Sequence, residues 1–101
     1  MIEHIVCFQF KEVVSEKSQF EIVETLLAFE NSIPGIVNLS AGVNVTEEVN
    51  FHHGYSIGLR VTFENEDALR DYQTHPIHQQ FVNRIKEDIQ NIVVVDYPIH
   101  S

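Results

Sequence analysis

The chain of 101 residues has no tryptophan, one cysteine, four glycines and only six lysines and arginines. Each scarcity excludes something. With Cys7 alone, no intrachain disulfide is possible, which suits a reducing compartment. Six basic residues spread through a chain of formal net charge −9 make no basic patch for nucleic acid or an anionic membrane surface. Acidity of this size favours solubility and repels polyanions. The glycines, at positions 35, 42, 54 and 58, fall at turns and within strands and form no phosphate-cradling loop. No apolar run approaches the roughly 20 residues that span a bilayer. The amino-terminal segment carries neither a basic region nor a cleavage site, so mature structure in a cytoplasmic protein is expected.

What remains suffices for one core. The 44% hydrophobic content is ordinary, and the length predicts a single domain over residues 1–101. Residues 2–10 predict a strand, with His4, Val6, Phe8 and Phe10 on one face and Glu3, Ile5, Cys7 and Gln9 on the other. Residues 15–32 predict a helix on the recurrence of Ile22, Leu26, Phe29 and Ile33. It starts from a Ser18–Glu21 capping box or from Ser15, and Pro34-Gly35 ends it. Alternation predicts strands over 36–46 and 55–63, joined by a polar loop. Asn65 caps a short helix reaching about Tyr72, and Thr74 or His75 caps the next, with Pro76 in its first turn. Phe81, Val82, Ile85 and Ile89 mark the buried side of that helix, and residues 91–97 form the last strand. The order β-α-β-β-α-β predicts an α+β, ferredoxin-like antiparallel sheet with helices on one face. Ile5, Cys7 and one side of the Ile92–Val95 run then lie on the uncovered face. This predicts a homodimer formed through that face, a dimeric α+β barrel.

The run Asp71-Tyr72-Gln73-Thr74-His75-Pro76-Ile77-His78 concentrates the reactive side chains. His78 shares a helical face with Val82, Ile85 and Ile89 and so points inward. With an ordinary pKa of about 6.5 it takes or gives a proton near neutrality. Asp96 lies in an apolar strand, where an unpaired carboxylate is costly. A hydrogen bond from His78 to Asp96 would satisfy both and fix the tautomer a general base needs. The alternative is a structural His–Asp pair that closes the last strand onto the last helix. Tyr72 is either a hydrogen-bond donor to a substrate carbonyl or a core residue with its hydroxyl at the rim. His4 is either a satisfied core histidine or part of a pocket. His52 and His53 fall in the polar loop, and no zinc pattern is completed, so neither a metal nor another cofactor is expected. Cys7 and His4 face opposite sides of a strand and make no nucleophile pair.

Several fragments in order resemble the stress-responsive A/B barrel family of dimeric α+β barrels. They are Glu3-His4-Ile5-Val6, Phe10-Lys11, Ile33-Pro34-Gly35, Gly54-Tyr55, Val61-Thr62-Phe63-Glu64, Asp71-Tyr72 with His75-Pro76 and His78, and Asp96-Tyr97. The resemblance covers nearly the whole chain. Its pocket positions are similar to those of plant polyketide cyclases that make olivetolic acid by a cofactor-free intramolecular aldol condensation. That similarity implies His78 and Tyr72 as catalytic residues, Asp96 as the acid orienting the histidine, and His4 as a pocket residue. It also places Ile57 and Leu26 at substrate-binding positions, where the cyclases carry a histidine and a tyrosine, so this pocket is less polar. The lack of tryptophan separates the chain from the haem-degrading barrels. The implied function is cofactor-free cyclisation or isomerisation, or simple binding, of a small, largely apolar, carbonyl-bearing molecule. The alternative is a non-catalytic, stress-associated homodimer.

Overall fold

The computed structural model describes residues 1–12 and 14–100. Strand β1 (Ile2–Phe10) alternates buried and half-buried residues along its whole length, as its side-chain pattern requires. Helix α1 (Glu16–Leu27) and the one-turn helix α2 (Phe29–Ser32) follow. Then come β2 (Ile36–Val43), β3 (Tyr55–Phe63), α3 (Glu66–Thr74), α4 (Pro76–Ile85) and β4 (Ile89–Pro98). The four strands form one antiparallel sheet in the order β2-β3-β1-β4. The βαββαβ order is thus present, each helical layer being two helices in place of one.

Local chemistry explains the boundaries. Ser15 caps α1, its hydroxyl accepting from the Ser18 amide at 3.2 Å, so of the two candidate starts this is the one used. The expected continuous helix over 15–32 is interrupted at Ala28, which keeps helical angles (φ −68°, ψ −16°) without a side-chain cap. The apolar spacing survives the interruption, and Leu26, Phe29 and Ile33 are all buried. Asn65 caps α3 through a 2.9 Å bond from the Ala68 amide, with Glu66 and Asp67 favourably placed against the helix dipole. His75 caps α4, its Nδ1 accepting from the Ile77 amide at 3.1 Å. The last strand starts earlier than its composition suggested. Ile89, expected on the helix, pairs with Phe10 in β4. A turn closed by the Asp88 amide on the Ile85 carbonyl (2.9 Å) ends α4 first.

Gly35 makes the turn into β2 at φ +88°, and a Cβ built there would stand 2.6 Å from Cβ of Ala68. Both the left-handed backbone and the contact with α3 demand glycine. Gly35→Ala is expected to cost about 2 kcal/mol or more, as backbone strain plus overpacking. Thermal unfolding checks this. A melting temperature within a degree or two of wild type would show that α3 gives way freely.

The core lies between the sheet and the helices α1–α4. Val61, Phe63 and Leu26 are fully buried there, and each such side chain contributes about 1.5–3 kcal/mol by leaving water. Helix α1 covers β2 and β3. Strand β4, at the sheet's edge, packs mainly on β1, and its helix-facing Ile92 and Val94 remain about half exposed. That partly uncovered strand makes the site.

Candidate functional site

A cavity of about 410 Å³ opens between α4 and the β1–β4 edge of the sheet. Its walls are apolar: Val6 and Phe8 from β1, Phe81 and Ile85 from α4, Ile92 and Val94 from β4. At one end the polar residues His4, Tyr72, Gln73, His78 and Asp96 come together. A larger concavity of about 510 Å³ lies around β2, β3 and the uncovered sheet face, near Cys7, Gly42, Gly58 and Arg60, and includes none of that polar cluster.

The three rings of the site are contiguous. Tyr72 sits between the imidazoles, its ring centroid 5.5 Å from that of His4 and 4.4 Å from that of His78. Phe63 packs against both Tyr72 (4.9 Å) and His4 (6.0 Å). Phe29 stands edge-on to Tyr72, His78 and Phe81. Tyr72 is 2% and His4 6% exposed, so the polar end is set into the core.

The carboxylate partner differs from the expectation. Asp96 is hydrogen-bonded to Nδ1 of His4, and not to His78. The sheet register is the reason: His4 and Asp96 are directly opposed in the β1–β4 ladder, on the face that looks towards the helices. His78 instead finds a backbone partner. Its Nδ1 lies 3.2 Å from the Gln73 carbonyl, which also accepts from Nε2 of Gln79 at 2.9 Å. That carbonyl is free because α3 ends just beyond it. Its helical partner would be the Ile77 amide, which instead donates to Nδ1 of His75, the extended residue between α3 and α4. A carbonyl only accepts, so Nδ1 of His78 carries the hydrogen and Nε2 keeps its lone pair.

Electrostatics reinforce this assignment. Burial pulls the His78 pKa below its ordinary 6.5, and the nearby His4 and His75 act in the same direction against the Gln73 bond. At neutral pH His78 is a free base. Tyr72 is shifted the other way, well above its ordinary value of 10.0, by burial first and the negative charge of Asp96 second. Its hydroxyl therefore stays protonated. Every buried side-chain nitrogen and oxygen among the described residues has a hydrogen-bond partner, and the Tyr72 hydroxyl takes none. Tyr72 lines the cavity.

The remaining anticipated positions divide. Leu26 lines the cavity and is fully buried. Ile57 does not line it; it lies on β3, opposite Phe8 and beyond β1 from β4, and is 2% exposed. Sequence reading passed over Gln73, Phe29 and the β4 wall residues Ile92 and Val94 as parts of the site. The Gln73 role had a legible signal in His75-Pro76, since a histidine capping the next helix takes the Ile77 amide that the Gln73 carbonyl would otherwise accept from. Among the described residues no cluster of three or more His, Cys, Asp or Glu could hold a metal ion, and no helix is long and apolar enough to cross a membrane.

The chain and its fold have counterparts among known proteins. The family model described as the stress responsive A/B barrel domain matches residues 2–99. Olivetolic acid cyclase from Cannabis sativa is 28% identical over 96 residues, covering 95% of this chain and 94% of that protein. The crystal structure of At3g17210 from Arabidopsis thaliana superposes with a TM-score of 0.86 at 28% identity, covering 100% of this chain and 97% of that one. A ferredoxin-like protein of unknown function from Thermobifida fusca, described as dimeric, superposes at 0.83 with 22% identity, covering 97% and 90%. The family match takes in all four strands and all four helices, those that line the cavity among them, and the chain belongs to the stress responsive A/B barrel domain family.

Proposed function

We propose that the protein binds a small, largely apolar molecule bearing a carbonyl group and removes a proton from the adjacent carbon without a cofactor. Nε2 of His78 takes the proton. The Tyr72 hydroxyl donates to the carbonyl oxygen as that oxygen becomes an enolate. Asp96 orients His4, which completes the polar end of the pocket. The enolate then attacks a second carbonyl of the same molecule, closing a ring and leaving an alkoxide that takes the proton back from Nε2 of His78, or is reprotonated by His78 at another carbon, giving an isomer. The observation that carries this reading is the free-base nitrogen of His78 beside a protonated Tyr72 hydroxyl in an accessible, apolar hollow. The similarity to a protein named as a cyclase supports ring closure. The apolar Leu26 at the wall supports an apolar ligand.

A general assay tests the reading without knowledge of the natural substrate. In D₂O, the protein should speed exchange of the hydrogens next to the carbonyl of a medium-chain methyl ketone, followed by proton NMR. Exchange no faster than buffer, at ketone concentrations that perturb the Tyr72 and His78 resonances, would leave a binding pocket without catalysis. The second reading, a non-catalytic dimer, draws on the His4–Asp96 bond, which ties the edge strand β4 to β1 as a structural pair would.

We further propose that two copies pair through the uncovered sheet face. Ile5, Cys7, Val93 and Val95 lie together there in the β1–β4 register, with Val93 and Val95 44% and 51% exposed. Beside them Gly58 is opposed by Cys7 on one side and Gly42 on the other, and a Cβ at either glycine would meet nothing within 4 Å. A ridge of valines and a glycine-floored groove on one face suit a two-fold, self-complementary contact. Sedimentation at micromolar concentration should give about twice the 11.7 kDa chain mass, and Val95→Asp should return the monomer by placing a charge in an apolar contact. A wild-type monomer at that concentration would count against the pairing.

A further inference from the structure

The cavity wall carries one full charge that the proposed chemistry does not use. Helix α4 and its C-cap present His78, Phe81, Val82, Ile85 and Lys86 to the cavity. These are positions i, i+3, i+4, i+7 and i+8, a single helical stripe. Lys86 therefore lies about 12 Å along the axis from His78, at 1.5 Å per residue. Between them the wall is apolar, with Phe81, Val82 and Ile85 on the helix and Ile92 facing them from β4. The hollow is thus polar at both ends and apolar in the middle.

Lys86 is unpaired. It forms no ion pair among the described residues, although Glu87 and Asp88 follow it directly. Those two acids line a different depression, with Phe10, Ser15 and Ile22. The other full charge on the cavity wall is Asp96, taken up by His4 at the opposite end. Lys86 is itself exposed, so its ammonium stands at the mouth of the apolar pocket, free to meet an anionic group that reaches it.

We propose that Lys86 is a specificity residue that binds an anionic group at the far end of the ligand, so that the substrate class is an oxo acid. Its carbonyl meets Tyr72 and His78, an apolar chain of about six to eight carbons fills the middle, and a carboxylate or comparable anion reaches Lys86. This rests on the carbonyl-binding reading of the cavity.

Two probes of nine carbons separate the possibilities. One is a methyl ketone; the other is the oxo acid in which the ketone's terminal methyl is a carboxylate. Calorimetric Kd values for both are measured with wild type, Lys86→Gln and Lys86→Glu. The ratio of the two affinities is the readout. Wild type should prefer the oxo acid by about fivefold, the upper end for a largely exposed ion pair. The preference should fall as salt is added, vanish in Lys86→Gln and invert in Lys86→Glu. No preference in wild type, or the same preference in all three proteins, overturns the Lys86 assignment; ketone binding then leaves the pocket reading standing. If neither probe binds wild type, the pocket reading fails and the Lys86 assignment falls with it.

Discussion

His78→Gln is expected to slow ketone α-hydrogen exchange by about 10²-fold or more, the usual contribution of a positioned general base. Glutamine retains a side chain able to hydrogen-bond near the Gln73 carbonyl but has no basic nitrogen at neutral pH. Tyr72→Phe should lose exchange too, because it removes the donor that stabilises the enolate oxygen while leaving the ring packing against Phe63 and Phe29. The pH profile carries the same signature. Burial holds the His78 pKa below 6.5, so exchange should be level through neutrality and decline only on the acid side of 6.5. Folding stability runs in the same direction. Between the lowered native pKa and 6.5 the unfolded chain binds more protons than the folded one, so stability falls as pH falls through that window. His78→Gln should flatten that part of the stability profile. Wild-type exchange rates in His78→Gln would remove the histidine from the chemistry.

Phe29→Ala is expected to be the most destabilising single change considered, at about 3–5 kcal/mol. Phe29 is 1% exposed and its ring meets Tyr72, His78 and Phe81 edge-on, so truncation empties the joint between α2, α3 and α4. Neither side of that joint is free to collapse, since Leu26 and Ile33 hold α1 and α2 against the core. At about 4–8 °C per kcal/mol for a domain of this size, the melting temperature should fall by about 12 °C or more. The effect reaches the site as well. With Phe29 gone, Tyr72 and His78 lose a shared wall, and their ring resonances should broaden or multiply even at temperatures where the variant is folded. A loss of less than about 5 °C would mean that the aromatic cluster repacks and does not define the geometry of the site.

Strand and helix positions were legible because side-chain period reports which face is buried. The alternation in β1 and β3 and the Ile22, Leu26, Phe29, Ile33 spacing placed those elements, and Asn65 and Pro76 marked helix starts by simple capping chemistry. Boundaries drifted where two periods fit the same residues. Ile89 continues the helical stripe of Ile85 and also begins the apolar strand, and only the pairing with Phe10 chooses. The convergence of His4, Tyr72 and His78 on one hollow follows from faces that periodicity already assigns.

Partner choice lay beyond that kind of reading. A partly buried carboxylate beside an apolar pocket favours a donor, and Asp96 had two imidazoles available; each choice satisfies the same local rule. The β1–β4 register, a contact across 92 residues of sequence, gives the carboxylate to His4, and the break between α3 and α4 at His75 then supplies His78 with a carbonyl. Local spacing along a chain assigns each side chain to a face. Which distant group meets it there depends on strand register and on where one helix stops and the next begins, and those are set by the packing of the whole domain.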